Sequence, residues 1–177
     1  MLTPAELQEL SQRLWPPGML RHQPLWAVLD GARSDRIHDF LRRSRRAQAC
    51  VLAGRLHPAL ARAAPYLLRL EQPDMLTREL LAECWGEAWG ILIASDRPLE
   101  ELRRHLASLF RVRTEDGRSL VFRFYDPRVL RAYLPTCIPA ELERFFGPVA
   151  AVLIEGNAQA EILRFTARGG PEALAAP

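Results

Sequence analysis

The sequence predicts an α/β (α+β) fold: a single compact domain in which helices pack on a mixed β-sheet. Three observations carry that expectation. Residues 25–29 and 89–94 are apolar on both faces, as strands covered by helices on two sides must be. Residues 98–109 show helical periodicity, with Leu99, Leu102, Leu106 and Leu109 in one stripe and Glu100, Glu101, Arg103 and Arg104 facing water. Third, 177 residues that are 49% apolar and 25% charged can bury a full core without a metal or disulfide staple.

Each element has a local signal. Thr3-Pro4-Ala5-Glu6 is a capping box with proline at the first helical position, so a helix is expected to about Leu14, stopped by Trp15-Pro16-Pro17-Gly18. The first strand ends at Asp30-Gly31. A helix follows over residues 34–43, with Ile37, Phe40 and Leu41 inward. Residues 49–53 and 66–70 are short strand candidates around a Pro- and Ala-rich stretch. Asp74 can cap a helix running to about Trp85.

Asp116-Gly117 is a hairpin-turn signal between expected strands at 110–115 and 119–125. In the second, Leu120, Phe122 and Phe124 share one face and Val121, Arg123 and Tyr125 the other. Asp126 caps a helix beginning at Pro127. Pro139 opens another, with Leu142, Phe145 and Phe146 inward and Gly147-Pro148 as its stop. Residues 149–155 and 160–167 read as a final hairpin and 169–177 as a loose tail. The organisation is an N-terminal helix and Pro-rich linker (1–24), the main domain (25–155), and a C-terminal strand and tail (156–177).

All 24 positive charges are arginine, against 21 acids, for a net charge of +3. The absence of lysine excludes Schiff-base chemistry, pyridoxal-phosphate attachment and the lysine of a phosphate-binding loop. The densest basic run, Arg42, Arg43, Arg45 and Arg46, reads as a solvated helix end suited to the macrodipole; a weak nucleic-acid module making phosphate contacts is the competing reading. Cys50, Cys84 and Cys137 are scattered, as in a reducing compartment, and form no zinc pattern. His22, His38, His57 and His105 sit in no recognisable motif, and His105 falls on the outer side of its helix. No signal peptide and no apolar run of membrane-spanning length occurs, so a soluble, cytoplasmic protein without membrane partners is expected. No motif asks for a cofactor or a metal.

Two carboxylates stand where α/β sheets bind ligands: Asp30 ends a central strand, and Asp126 follows one. They could form an acid–base pair in a small enzyme. Alternatively Asp30 organises a turn, Asp126 caps its helix, and Arg33, Arg123 and Arg128 supply structural ion-pair partners. The aromatic residues near Gly86 and Gly90 and between 122 and 146 are mostly core, but any exposed members would suit a protein-binding patch, since aromatics and arginine dominate interface hot spots.

Five segments, in order, resemble one family: Trp26-Ala27-Val28-Leu29-Asp30-Gly31-Ala32-Arg33; Ala64-Pro65-Tyr66-Leu67-Leu68; Trp85-Gly86-Glu87-Ala88-Trp89-Gly90-Ile91; Ser95-Asp96-Arg97-Pro98-Leu99-Glu100-Glu101-Leu102-Arg103-Arg104-His105-Leu106; and Arg123-Phe124-Tyr125-Asp126-Pro127-Arg128-Val129-Leu130. Together they are similar to the bacterial domain-of-unknown-function 4123 family. The resemblance implies a non-enzymatic adaptor, or chaperone, of type VI secretion. Such a protein binds a cognate toxic effector in the producing cell and helps load it onto the spike, a VgrG trimer or its PAAR tip. The implied partners are the effector and the spike, with no nucleic acid. Trp85, Trp89, Arg123, Tyr125, Arg128, Phe145 and Phe146 are the candidate partner-binding residues; Asp30, Arg33 and Asp126 carry the family pattern and are expected to hold the fold.

Overall fold

The structure, a computed structural model, describes residues 2–16, 24–52, 54–71, 74–113, 116–158 and 160–174. Helix α1 (Pro4–Leu14) precedes strand β1 (Leu25–Asp30), α2 (Asp35–Arg43), β2 (Gln48–Cys50), α3 (Pro58–Ala63), β3 (Pro65–Leu70), α4 (Met75–Cys84) and β4 (Gly90–Ala94). The second half holds α5 (Leu99–Leu109), β5 (Arg111–Arg113), β6 (Ser119–Val121), α6 (Pro127–Tyr133), α7 (Pro139–Phe146), β7 (Ala151–Glu155), β8 (Ile162–Thr166) and β9 (Gly169–Ala173). The cap signals act as expected. Thr3 accepts from the Glu6 amide while the Glu6 carboxylate accepts from Thr3, and Ser34, Asp74 and Asp126 cap α2, α4 and α6.

Seven strands form one sheet in the order β2-β3-β1-β4-β7-β8-β9. The α+β class is as the sequence predicts, but the described pairings are all antiparallel, so the sheet is not mixed. Burial on both faces makes a strand read as continuously apolar whichever way its neighbours run, so the sequence pattern could not report direction.

The period of two splits the core. Leu25, Ala27 and Leu29 of β1, with Leu92 and Leu153, face α1, α2 and α4 through Leu14, Phe40 and Leu81. Trp26 and Val28, with Ile91, Ile93 and Val152, face α5, α6 and α7 through Leu106, Leu130 and Phe146. The result is three layers, helix on sheet on helix.

Three local expectations change. The Pro- and Ala-rich stretch contains α3, begun by Pro58 with the His57 ring accepting from the Ala59 amide. The strand expected over 119–125 stops at Val121 and pairs only with β5, in a separate two-stranded sheet. Phe124 and Tyr125 are adjacent yet both buried in one cluster, which strand alternation forbids, and the Asp126 amide donates to the Arg123 carbonyl to close a turn.

The third is the loose tail, whose first part is strand β9, paired with β8 at the sheet edge; residues 175–177 lie outside the described residues. Its Gly-Gly-Pro-Glu-Ala sequence has low strand propensity, and proline is tolerated there because an edge needs fewer donors. What holds it is tertiary. Arg13 of α1, 10% exposed at its side chain, donates to the carbonyls of Ala160 and Leu174, and the Leu174 amide donates to Ile162 at 3.1 Å.

His105 is half-buried, contrary to its expected outward position. Its Nε2 lies 2.8 Å from the Phe145 carbonyl at the end of α7, and burial lowers its pKa.

A tight backbone constraint is Gly90, which pairs with Leu29 in the middle of the sheet. A Cβ there would sit 2.1 Å from the Val28 carbonyl oxygen. Gly90→Ala is therefore expected to destabilise the fold by about 2–3 kcal/mol through overpacking. Urea unfolding checks this; an unchanged midpoint would refute the close contact of β1 and β4.

Candidate functional site

The site begins at the end of β1. Both edges of β1 are paired, and its last residue, Asp30, has a side chain only 2% exposed. One carboxylate oxygen, Oδ1, accepts from the Ala32 amide at 3.1 Å and shapes the following turn. The other, Oδ2, accepts from Arg123 Nη2 at 2.5 Å. The Arg123 guanidinium also lies 5.8 Å from the centre of the Tyr125 ring. Three residues on, Asp126 caps α6 through the Arg128 amide at 3.0 Å and takes the Arg128 guanidinium in a two-pronged bond, Nε at 3.0 Å and Nη2 at 2.7 Å. In both pairs a buried acid fixes an arginine that remains about half exposed, 46% for Arg123 and 53% for Arg128.

Beside these pairs lies a cleft of about 600 Å³, walled by Arg33, Arg128 and Arg131 and by residues 85–88 and 155–158. Its floor is Glu155, the last residue of β7 and almost wholly buried. Glu155 Oε2 accepts from the Gly86 amide at 2.7 Å, tying the turn after α4 to the sheet. Arg131 spans the opposite wall, donating to the Gly156 carbonyl at 2.8 Å and to Asn157 Oδ1 at 3.0 Å. Arg33 donates to the Glu87 carbonyl at 2.8 Å. Two lining residues without the freedom of glycine, Ala88 and Ala160, hold φ of 52° and 57°, a left-handed conformation that collects where a binding surface is held in a set shape. The arrangement presents guanidinium groups at fixed positions, geometry suited to the carboxylates and carbonyls of another polypeptide.

The structure brings Asp30, Arg33, Arg123, Asp126 and Arg128 to this one edge, as the sequence pattern suggested. The two aspartates face separate arginines, and Arg33 goes to a backbone carbonyl and not to either carboxylate group. The expected aromatic patch requires correction. Trp85, Trp89, Tyr125, Phe145 and Phe146 are all buried, because the two apolar layers need large rings to fill them. Trp89 packs edge-on against Phe40, and Phe145 against Phe146. Of that set only Arg123 and Arg128 offer substantial surface.

Within the basic run, Arg42 pairs with Asp39, Arg43 with Glu79 at 2.5 Å, and Arg46 with Asp74, so these three charges are committed inside the chain. Burial raises the pKa of all three thiols above the usual cysteine value. Among the described residues, no group of three His, Cys, Asp or Glu stands close enough to hold a metal, and no helix is long and apolar enough to cross a membrane. Sequence reasoning missed Arg131 and Glu155. For Glu155 the usable signal was a charged residue ending an apolar strand, the same feature that singled out Asp30; Arg131, inside α6, had none.

The two buried acids have opposite electrostatics. The Arg128 side chain holds the Asp126 carboxyl below the usual carboxylate range; burial pushes the other way, and the Arg128 amide adds to the lowering. Burial pushes Glu155 up, opposed by the Gly86 and Ala88 amides and Arg131. A lowered folded pKa gives stability that is present above the ordinary carboxylate value, about 4, and is lost as pH falls below it. A raised one gives a penalty at neutral pH that disappears as pH falls. Asp126→Asn is thus expected to lose stability at pH 7, with the deficit shrinking towards pH 3. The pH-dependent part of the Glu155→Gln effect should have the opposite sign. Thermal unfolding from pH 3 to 8 checks both; parallel curves for Asp126→Asn and the parent chain would refute the Asp126 pairing.

A family model described as a domain of unknown function (DUF4123) matches residues 25–144. No curated protein and no solved structure matches the chain. The matched region holds β1 with Asp30, the turn carrying Gly86, and Arg123, Asp126 and Arg128, so the ion-paired edge lies within the shared region. The chain belongs to the DUF4123 family.

Proposed function

We propose that the protein is a type VI secretion effector adaptor, binding a cognate toxic effector in the cytoplasm and helping to load it onto a VgrG or PAAR spike protein. The observation that supports this reading is the display of Arg123 and Arg128. Each is preorganised by a buried aspartate and each is about half exposed, so neither needs to be ordered when a partner arrives. Arginine held in this way is a common anchor at protein interfaces. The same pairing occupies the carboxylates that acid–base chemistry would use, which favours gripping a macromolecule over making or breaking covalent bonds. The role needs no cofactor.

The test is co-expression with candidate effector and spike proteins encoded beside the gene, followed by affinity purification and a secretion assay. One effector should co-purify at a defined ratio. The double variant Arg123→Lys/Arg128→Lys keeps a cation beside each buried aspartate but removes the planar fork; it should stay folded by circular dichroism, with a lower unfolding midpoint, and lower recovery at least tenfold. A folded chain that leaves the solubility, loading and secretion of every such effector unchanged would overturn the proposal.

A further inference from the structure

A second concave surface shares no lining residue with the cleft. The end of α5, strand β5, Phe122, Tyr133 and the outer side of α7 enclose a groove of about 680 Å³. Its floor is apolar: Phe122 stands edge-on to Tyr133 at 4.8 Å and to Phe145 at 6.5 Å. On its wall Val112 is 39% exposed, and Leu120, facing it across the hairpin, is 48% exposed. Its rim carries Arg111, Arg113 and Arg144, all exposed.

These arginines differ from most others in the chain. Across α2 and α4, Arg36, Arg43 and Arg46 pair with Glu83, Glu79 and Asp74. Arg123 and Arg128 hold the two aspartates. Among the described residues the side chains of Arg111, Arg113 and Arg144 have neither an ion pair nor a hydrogen bond. The carboxylate among the described lining residues, Glu141, is taken up by the Ile138 amide at the start of α7, at 3.0 Å. Among the described residues the groove lining therefore sets three arginines against one carboxylate and is net cationic.

Strand β5 pairs with β6 along one edge, and its residues line the groove. Its sequence alternates Arg111-Val112-Arg113, placing charge on one face and an apolar side chain on the other. An added strand with alternating acidic and apolar residues would meet that pattern face for face, while its main chain hydrogen-bonds along the free edge. A second copy of this chain would bring the same positive rim and be repelled.

We propose that this groove is the docking site for an extended, alternately acidic and apolar segment of the protein partner, added as a strand beside β5. The proposal rests on the adaptor reading for the identity of that partner, but its chemistry is readable from the groove alone.

The test needs no effector. Random 12-residue peptides displayed on phage are selected on the folded full chain, and individual binders are measured by fluorescence anisotropy. The expected binders are rich in Asp and Glu alternating with large apolar residues. They should bind at least tenfold more weakly to Arg111→Glu/Arg144→Glu, and should be unaffected by the equal charge change Arg45→Glu/Arg78→Glu on exposed arginines of the opposite helical layer. Because the side chains of Arg45, Arg78, Arg111 and Arg144 make no ion pair or hydrogen bond among the described residues, thermal unfolding of both variants should match the parent. A third variant, Val112→Asp, should also abolish binding. Peptides that lose affinity equally on both charge variants, peptides without acids, or a parent chain that dimerises through this face would each overturn the proposal. Failure here with effector co-purification intact would refute the groove and leave the adaptor reading standing; the reverse result would do the opposite.

Discussion

A carboxylate at the dry end of a central strand must find a cation, and much of this molecule follows from how Asp30 does so. Burying a lone charge is expensive, and removing one partner of a buried pair is typically worth several kcal/mol, because the survivor is left uncompensated. Arg123 meets that need from 93 residues away in the chain. Satisfying Asp30 fixes where the turn after the β5–β6 hairpin must lie. That turn in turn places Asp126, and Asp126 starts α6. The edge on which Arg123 and Arg128 stand is thus set by one electrostatic requirement of β1, with the apolar layers on both sides of the sheet filling the space that remains.

The sequence carried much of the fold because its signals were local. Capping residues, apolar stripes and the both-face burial of β1 and β4 each depend on neighbours within a few positions. The failures share a cause as well. Direction of strand pairing, the existence of β9 and the buried position of His105 are decided by partners far along the chain, and no local pattern reports them. The candidate site shows the same division. Asp30 and Asp126 were legible because a charged residue bounding an apolar run is conspicuous. Glu155 and Arg131 were not singled out, and the aromatic residues looked available for a partner until two tightly filled layers claimed them.

A chain whose only cations among lysine and arginine are arginines uses them in two ways. Arginine's planar fork can hold a carboxylate or several carbonyls at once while its stem packs on apolar surface. Between α2 and α4 this builds a ladder of interhelical pairs, and around the cleft Arg33 and Arg131 tie the turn after α4 and the loop after β7 to their neighbours. Such exposed pairs each contribute little to stability. Their effect is positional, since they hold backbone segments in register that few apolar contacts would otherwise fix.

The reach of Arg13 across to the carbonyls of Ala160 and Leu174 has a consequence for biogenesis. Both acceptors leave the ribosome long after α1 does. The first helix can form early from its own capping box, yet its buried guanidinium lacks these two carbonyl acceptors until the final hairpin and β9 have been synthesised. Docking of α1 is therefore deferred until β9 has emerged, and a nascent chain halted before β9 would carry α1 with its charge unsettled and part of one apolar layer open.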